Sequence, residues 1–165
     1  RPTLDKVREA VFSSLGGMFD GGTVLDLYAG SGANGLEALS RGYDYAVFAD
    51  ISKDAIQVIR KNIESLRCKE KTKVLHMPDK KALSLLKAEG LRFDLVYLDP
   101  PYAGQRNNEI LEYLQENNMI TDHGVVVIES AKEDEFKKEF GSLKPYKEAI
   151  YGITRITYYR NEVEG

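Results

Sequence analysis

The sequence predicts an α/β fold: a doubly wound, mostly parallel seven-stranded sheet that ends in an antiparallel hairpin, in one domain spanning residues 1–165. Short apolar runs alternate with amphipathic segments along most of the chain, which is typical of parallel strands joined by helical crossovers. The run Gly124–Ser130 is apolar through its centre, as expected for a strand covered on both faces. The last two β-rich runs are separated by Gly152 and Ile153, which indicates a hairpin with at least one antiparallel strand.

The individual elements follow from the same patterns. We expect Thr3 to cap a first helix over Leu4–Leu15 and Ser52 to cap the helix after the second strand. Gly42 is expected to close the helix that follows the first glycine turn. Strands are predicted at residues 23–28, 45–50, 72–76, 93–98, 124–130, 146–151 and 154–160, and further helices at residues 80–89, 108–117 and 133–140.

Composition narrows the class of protein. With 165 residues and 42% hydrophobic residues, the chain has enough apolar side chains for one substantial core. The single cysteine, Cys68, excludes an intramolecular disulfide and fits a reducing compartment, and no run approaches the roughly 18 apolar residues of a membrane span. We therefore expect a cytoplasmic protein without a membrane partner. Neither His76 nor His123 has a neighbouring cysteine or histidine at ligand spacing, so no metal site is predicted.

The net charge of −3 does not indicate a nucleic-acid-binding protein. Lysines cluster locally between the second and third strands and in the last third of the chain. Mixed charge is also the ordinary pattern of a protein surface, so these lysines are compatible with RNA binding without predicting it. No feature of the sequence predicts an oligomeric state.

A glycine-rich turn follows the first predicted strand. Gly30, Gly32 and Gly35 fit the dinucleotide fingerprint G-x-G-x-x-G, and Asp50 follows Gly30 by 20 residues, where an acid binds a ribose. Glycines let the backbone approach a ligand closely, and both a nicotinamide dinucleotide and S-adenosylmethionine contain a ribose and an adenine. The fingerprint alone leaves both cofactors open.

Three details favour S-adenosylmethionine. Asp26 precedes the glycines inside the first strand, where a carboxylate suits the methionine ammonium better than a pyrophosphate. Asp79 follows the third strand, where it could meet the adenine amino group. The third detail is the motif Asp99-Pro100-Pro101-Tyr102, which has no role in hydride transfer. The predicted cofactor site also includes the neighbouring residues Tyr28, Ala29, Ser31 and Ile51.

The motif Asp99-Pro100-Pro101-Tyr102 ends the fourth predicted strand. Two prolines stop the ladder of strand hydrogen bonds and fix the backbone, so the turn is stiff and lies at the carboxyl end of the sheet, where ligands bind in open α/β folds. The Asp99 carboxylate and the Pro100 carbonyl could accept the two N–H bonds of a planar amine, Pro101 would add rigidity, and Tyr102 could stack on a base. The motif therefore predicts transfer to an exocyclic amine, but it does not distinguish guanine from adenine.

The chain resembles the bacterial small-subunit (16S) ribosomal RNA guanine-N2 methyltransferases over almost its whole length. The resemblance is carried by Arg-Pro-Thr and Val-Arg-Glu-Ala-Val-Phe at the start, by the extended motif LDLYAGSGANGLEALSRG at residues 25–42, by FDLVYLDPPY at residues 93–102, and by the closing segment at residues 151–160. It implies the class I methyltransferase fold, S-adenosylmethionine as cofactor, and ribosomal RNA or the small ribosomal subunit as partner, with no DNA. Arg8 could then contact the cofactor carboxylate or an RNA phosphate.

The chain departs from the family pattern at three points. Family members usually begin with a basic β-hairpin of roughly twenty further residues, a kind of segment that often contacts RNA, and the sequence starts after it. Asn34 stands where an apolar residue is more common, and Asp50 is followed by Ile51 and Ser52 where an acid-x-acid pattern is common. These departures concern the details of cofactor and RNA contacts.

Several other functions remain open at this stage. Asp-Pro-Pro-Tyr also occurs in adenine N-methyltransferases acting on DNA, although these usually carry a target-recognition domain. Release-factor glutamine methyltransferases usually have Asn in place of the leading Asp. A catalytically silent RNA-binding or ribosome-assembly module is a further alternative, against which the combination of Asp26, Asp50 and Asp99 argues.

Overall fold

The computed structural model describes residues 2–100, 106–134 and 139–163. It contains one sheet of seven strands with helices on both faces, which confirms the predicted fold class. The strands are β1 (Thr23–Leu27), β2 (Tyr45–Asp50), β3 (Thr72–His76), β4 (Phe93–Leu98), β5 (Ile120–Ala131), β6 (Leu143–Tyr151) and β7 (Thr154–Asn161). The helices are α1 (Pro2–Ser14), α2 (Ala33–Ser40), α3 (Lys53–Ser65), α4 (Asp79–Ala88) and α5 (Asn107–Glu116), with a short 3-10 helix at Lys69–Lys71. No helix in these ranges has the length and apolar character needed to cross a bilayer.

The strand order is β3-β2-β1-β4-β5-β7-β6. The first five strands are parallel, whereas β7 runs antiparallel to both β5 and β6. The chain builds outward from β1 to β3 and then returns to place β4 on the other side of β1. This reversal opens a crevice at the carboxyl ends of β1 and β4, which is where ligands bind in open α/β sheets.

Alternate residues of each central strand pack into two separate apolar layers. Leu25 and Leu27 of β1 belong to the layer formed with α4 and α5, whereas Val24 belongs to the layer formed with α1 and α3. Both layers are almost fully shielded from water. Because helices cover both faces of the sheet, a ligand can reach it only at the ends of the strands.

Several details of the predicted elements are wrong. The strands predicted at residues 124–130 and 146–151 begin earlier, at Ile120 and Leu143, because each has further ladder pairing before its predicted start. Helix α1 begins at Pro2, so Thr3 lies within the helix and does not cap it. The helix predicted over residues 133–140 is not found at either of its described ends, while residues 135–138 lie outside the described ranges. The amide of Lys132 continues the pairing with the hairpin by donating to the Ile153 carbonyl, and Phe140 forms a bridge with Leu143. By contrast, the predicted cap of α3 is confirmed, because the Ser52 hydroxyl accepts a hydrogen bond from the Ala55 amide.

Candidate active site

A cavity of about 800 Å³ opens at the carboxyl edge of the sheet. It lies where β1, β2, β3 and β4 end, and its far wall includes the residue that precedes α5. A volume of this order suits a ligand of nucleoside size or larger. The described residues that line it are Leu27, Tyr28, Gly30, Ala49, Asp50, Ile51, Ser52, Met77, Pro78, Asp79, Asp99, Pro100 and Arg106.

Seven of the predicted site residues lie on this cavity, although they come from distant parts of the sequence. Successive turns contribute them because parallel strands all present their carboxyl ends to the same edge. These residues are Tyr28, Gly30, Asp50, Ile51, Asp79, Asp99 and Pro100. Pro101 and Tyr102 lie outside the described residues, so their predicted roles stay predictions.

The glycine turn after β1 is held by the acid that ends β2. Gly30 has φ +58°, and its amide donates to Asp50 Oδ2 at 2.8 Å. Asp50 Oδ1 accepts a second bond from the Ser52 amide at 2.8 Å. A side chain added at Gly30 would meet nothing within 4 Å, so the backbone is open to a ligand there. Two donors hold the Asp50 carboxylate at the cavity wall, and its remaining lone pairs are available to ribose hydroxyls.

Gly32 and Gly35 are required for packing of the chain itself. A Cβ at Gly35 would come within 2.4 Å of Phe48 Cε2, and one at Gly32 within 3.3 Å of both Phe48 and Ile59. Their small size lets α2 approach β2 closely. Neither glycine is among the described residues on the cavity. Both pack against the core, and their predicted contact with a ligand stays a prediction.

Asp26 also differs from its predicted setting. It is 1% exposed, does not appear on the described cavity wall, and its Oδ2 accepts a hydrogen bond from the Gly35 amide at 2.9 Å. The carboxylate is thus turned onto the first turn of α2. Removal from water raises the pKa of Asp26 to about 8, an effect to which the neighbouring carboxylates Asp99, Glu129 and Asp50 add. This corner of the fold has an excess of negative charge.

Asp79 is already engaged by groups of the protein. Its Oδ2 accepts the Tyr28 hydroxyl at 2.6 Å, and its Oδ1 accepts the Lys80 amide at 2.7 Å and lies 3.2 Å from an Arg106 guanidinium nitrogen. The partly buried Tyr28 hydroxyl has a raised pKa because of desolvation and because it donates to Asp79. A contact of Asp79 with an adenine amine would have to use the lone pairs that this network leaves.

At the end of β4, Asp99 interacts with a residue that the sequence did not indicate. Glu129 on β5 lies beside it, and the Tyr97 hydroxyl donates to Glu129 Oε1 at 2.5 Å. Asp99 stands at the open rim of the cavity. Partial loss of water and the neighbouring Glu129 carboxylate raise the pKa of Asp99 to about 7. A carboxylate with a pKa near neutrality is suited to accept a proton from an amine.

Arg8, Ala29 and Ser31 are not among the described residues that line the cavity. Arg8 pairs with Asp5 at 3.1 Å and with Glu37 at 3.3 Å, which ties α1 to α2. Ala29 and Ser31 belong to the same turn as Gly30, but their backbone groups bond within the protein. The Ala29 amide donates to the Ala49 carbonyl, and the Ser31 carbonyl accepts a hydrogen bond from the side-chain amide of Asn62.

Sequence analysis missed some of the lining residues. Met77 and Pro78 follow β3 in the same way that Ile51 follows β2, so the rule that strand ends carry the site could have found them. Arg106, which also lines the cavity, and Glu129, which lies beside Asp99, had no local signal, because each depends on pairing with a distant segment. In the part of the chain described by the structure, no group of three or more acidic, histidine or cysteine residues is arranged to hold a metal ion.

The cavity combines features that suit a positively charged nucleoside. Ile51 is 69% exposed and, with Met77 and Leu27, provides apolar surface for a ring. Asp50 provides acceptors for a ribose, and Asp99 provides a carboxyl group at the rim, while the buried Asp26 behind the wall can ionise once a positive ligand lowers its pKa. This combination of apolar surface and carboxyl groups fits S-adenosylmethionine, which has an adenine, a ribose and a net positive charge, better than it fits a pyrophosphate-containing dinucleotide.

Known proteins with similar sequences and folds include RNA-modifying enzymes. The family model described as conserved hypothetical protein 95 matches residues 1–160. A putative rRNA methyltransferase from Bacillus subtilis, YlbH, is 36% identical over 97% of this chain and 87% of its own length. Ribosomal RNA small subunit methyltransferase D of Escherichia coli is 30% identical over 100% of this chain and 81% of its own length.

Solved structures agree with these matches. A conserved hypothetical protein from Streptococcus pyogenes has a TM-score of 0.88 and 39% identity, and covers 94% of this chain and 95% of its own. The putative methyltransferase yhhF from Escherichia coli has a TM-score of 0.85 and 29% identity, covering 99% and 88%. The class I methyltransferase fold and the resemblance to small-subunit ribosomal RNA methyltransferases are thereby confirmed. The chain belongs to the conserved hypothetical protein 95 family and is a relative of ribosomal RNA small subunit methyltransferase D.

Proposed function

We propose that this protein is an S-adenosylmethionine-dependent methyltransferase of small-subunit ribosomal RNA and that it methylates the exocyclic N2 amine of a guanine. The names of its relatives support the RNA substrate. The observation that carries the chemistry is the position of Asp99 and Pro100, which line the same cavity as Gly30 and Asp50. An acceptor for an amine therefore lies beside a site suited to the methyl donor.

The proposed cofactor residues come from the ends of neighbouring strands, and each would contact a different part of S-adenosylmethionine. Gly30 and Asp50 would hold the ribose, and Ile51 and Met77 would cover the adenine. Asp26, which is protonated in the free protein, would ionise as the positively charged end of the donor lowers its pKa. S-adenosylmethionine supplies a methyl group that is already activated by its sulfonium. The protein then needs only to bind the amine, aim it and take up the proton it loses.

Asp99 and Pro100 would prepare the amine. The nitrogen lone pair of an aromatic amine is delocalised into its ring, and accepting both N–H bonds at fixed oxygens favours the pyramidal form whose lone pair is free to attack. The rigid proline backbone keeps these acceptors in place before the reaction. The nitrogen becomes positively charged as its new bond to carbon forms, and the Asp99 carboxylate can take the departing proton. Tyr102 would stack on the extruded base, a contact typically worth ~1–3 kcal/mol.

The test separates cofactor binding from methyl transfer. Asp99→Ala and the isosteric Asp99→Asn are expected to keep the thermal stabilisation caused by S-adenosylmethionine but to lose transfer of labelled methyl groups to small ribosomal subunits. Glu112→Gln, on the exposed surface of α5, serves as the matched control with unchanged transfer. Wild-type turnover by either Asp99 variant would overturn the proposed mechanism.

A second measurement tests the base. Small subunits from a strain lacking the gene are incubated with the enzyme and labelled cofactor, and the labelled nucleoside is identified after digestion. The proposal expects N2-methylguanosine at one position. A labelled adenosine would instead support an adenine N-methyltransferase, and stabilisation without any transfer would support a silent binding module.

A further inference from the structure

Four carboxylates follow one another across the carboxyl edge of the sheet. Asp50 ends β2, Asp26 is in β1, Asp99 follows β4, and Glu129 lies near the end of β5. Asp50 and Asp99 line the cavity proposed for the cofactor. Glu129 lies one strand beyond Asp99, on the side away from β1 and β2. Asp99 is therefore the boundary between the cofactor side of this edge and a second side formed by β5.

The strand register places Asp99 and Glu129 side by side. Leu98 pairs with Ile128 in the parallel β4–β5 ladder, so the next residues, Asp99 and Glu129, are neighbours on the same face, with their strands ~4.8 Å apart. The raised pKa of Asp99, caused by desolvation and by Glu129, shows that the two carboxyl groups interact. Without a ligand, the pair is stabilised by a proton on Asp99 that is hydrogen-bonded to Glu129, and once Asp99 ionises the two carboxylates repel each other.

Tyr97 fixes the position of Glu129. Its side chain is fully buried and stacks on Phe12 of α1 at a ring separation of 6.2 Å. Its hydroxyl donates to Glu129 Oε1 at 2.5 Å, which occupies one carboxylate oxygen and limits rotation of the side chain. A core residue therefore orients a half-buried carboxylate beside Asp99, the proposed proton acceptor. Such support is not needed for an ordinary surface glutamate.

The hydrogen-bonding edges of the bases differ beside the amine. Guanine presents N1–H next to its N2 amine, so two adjacent donors face the protein. Adenine and cytosine each present an unprotonated ring nitrogen next to the amine, and this acceptor would face a carboxylate lone pair. Two neighbouring carboxylates thus match guanine alone among the bases that carry an exocyclic amine.

We propose that Glu129 accepts the N1–H of the target guanine while Asp99 accepts an N2–H, so that this pair selects guanine over adenine. The inference rests on the proposed function and adds the residue that determines the base. Tyr97 is a positioning residue, since it acts through Glu129. The amine-binding motif alone is equally compatible with adenine. Glu129 would distinguish the two bases, because it can accept the N1–H of guanine but would repel the unprotonated N1 of adenine.

The test uses 2-aminopurine, which keeps the amine at C2 but has no hydrogen at N1. Small subunits are reconstituted with RNA carrying either guanine or 2-aminopurine at the methylated position, and kcat/KM for methyl transfer is measured on each. Wild-type enzyme is expected to prefer guanine by about tenfold or more, the effect of losing a charge-assisted hydrogen bond and opposing two acceptors.

Glu129→Gln provides the decisive comparison. The Tyr97 hydroxyl can donate to the amide oxygen of the new side chain, which leaves its NH₂ to oppose guanine N1–H and to donate to N1 of 2-aminopurine. The guanine to 2-aminopurine ratio of kcat/KM is expected to fall by at least about tenfold, whereas Glu112→Gln should keep the wild-type ratio. A merely structural role for Glu129 would lower both activities without changing their ratio.

The outcomes distinguish this inference from the proposed function. An unchanged ratio in Glu129→Gln, with guanine methylated by the wild-type enzyme, would overturn the role of Glu129 and leave the proposed function intact. Absence of guanine methylation by the wild-type enzyme would overturn the proposed function itself. Thermal stabilisation of Glu129→Gln by S-adenosylmethionine verifies that the variant is folded and binds the donor.

Discussion

The buried carboxyl group of Asp26 should make the free protein less stable as the pH rises. It is 1% exposed, and desolvation raises its pKa from 3.8 to about 8 in the folded state. Between these values the folded protein keeps a proton on Asp26 that the unfolded chain has lost. Since the unfolded state binds fewer protons, the free energy of unfolding falls with rising pH through this window.

The size of the effect follows from the pKa shift. Each pH unit inside the window changes the free energy of unfolding by ~1.4 kcal/mol, so the contribution of Asp26 between pH 5 and pH 8 is about 4 kcal/mol. Asp26→Asn should remove this dependence, because an asparagine is neutral at all these pH values and its side-chain oxygen can still accept the Gly35 amide. The variant should match the wild type only below about pH 4; it should exceed it by about 2 kcal/mol at pH 5 and by a larger margin at pH 8.

Thermal unfolding at pH 5, 6, 7 and 8 measures this difference. For a chain of this length, ~4 kcal/mol corresponds to about 8–16 °C in Tm, so the Tm of the wild type should fall by that much more than the Tm of Asp26→Asn. Asp20→Asn, which changes an exposed carboxylate, should follow the wild-type curve. Parallel curves for the wild type and Asp26→Asn would refute the argument that Asp26 is protonated in the folded state.

Two further predictions concern packing and the pH dependence of the reaction. Gly35→Ala should lower the free energy of unfolding by about 1–3 kcal/mol, because its Cβ would lie 2.4 Å from Phe48 Cε2. Denaturant unfolding measures this loss. An unchanged midpoint would contradict the close approach of α2 to β2. With a pKa of about 7 raised by desolvation and Glu129, Asp99 should make kcat/KM rise between pH 6 and pH 8 as its carboxyl group ionises. In Glu129→Gln that rise should shift to lower pH, because the neighbouring negative charge is gone, and an identical pH profile would contradict the coupling.

The sequence was sufficient for the fold class because its apolar runs and amphipathic segments are local patterns. The order of the last strands was not predictable in the same way. Strand β7 lies between β5 and β6, and this placement depends on pairings between residues far apart in the chain. The helix predicted over residues 133–140 failed at its described ends for a related reason: the chain there stays paired with the hairpin, and tertiary contacts outweigh local propensity.

Strand ends in the sequence were enough to anticipate which residues lie on the cavity, whereas side-chain directions were not, and the roles of all these residues stay predictions. Gly30, Asp50 and Asp99 lie on the cavity because each stands at or just after the end of a buried strand. Gly35 belongs to the same motif as Gly30, yet it faces the Phe48 ring, and only the packing of α2 on β2 reveals this. Glu129 was missed because its importance depends on the β4–β5 register, which shifts by a bulge between Phe93 and Leu95.

The charge of the site resolves an apparent conflict between an acidic protein and an RNA substrate. The carboxylates at the carboxyl edge of the sheet would repel phosphates, but the proposed ligands at this edge are a cationic methyl donor and the N–H edge of a base, and both favour negative charge. The raised pKa values of Asp26 and Asp99 show that gathering these groups is unfavourable in the free protein. A positive ligand lowers both pKa values, so the instability at high pH and the affinity for the donor have the same physical origin. On this proposal, RNA phosphates contact surfaces away from this edge, and the carboxyl groups at the edge bind the N–H groups of the target base.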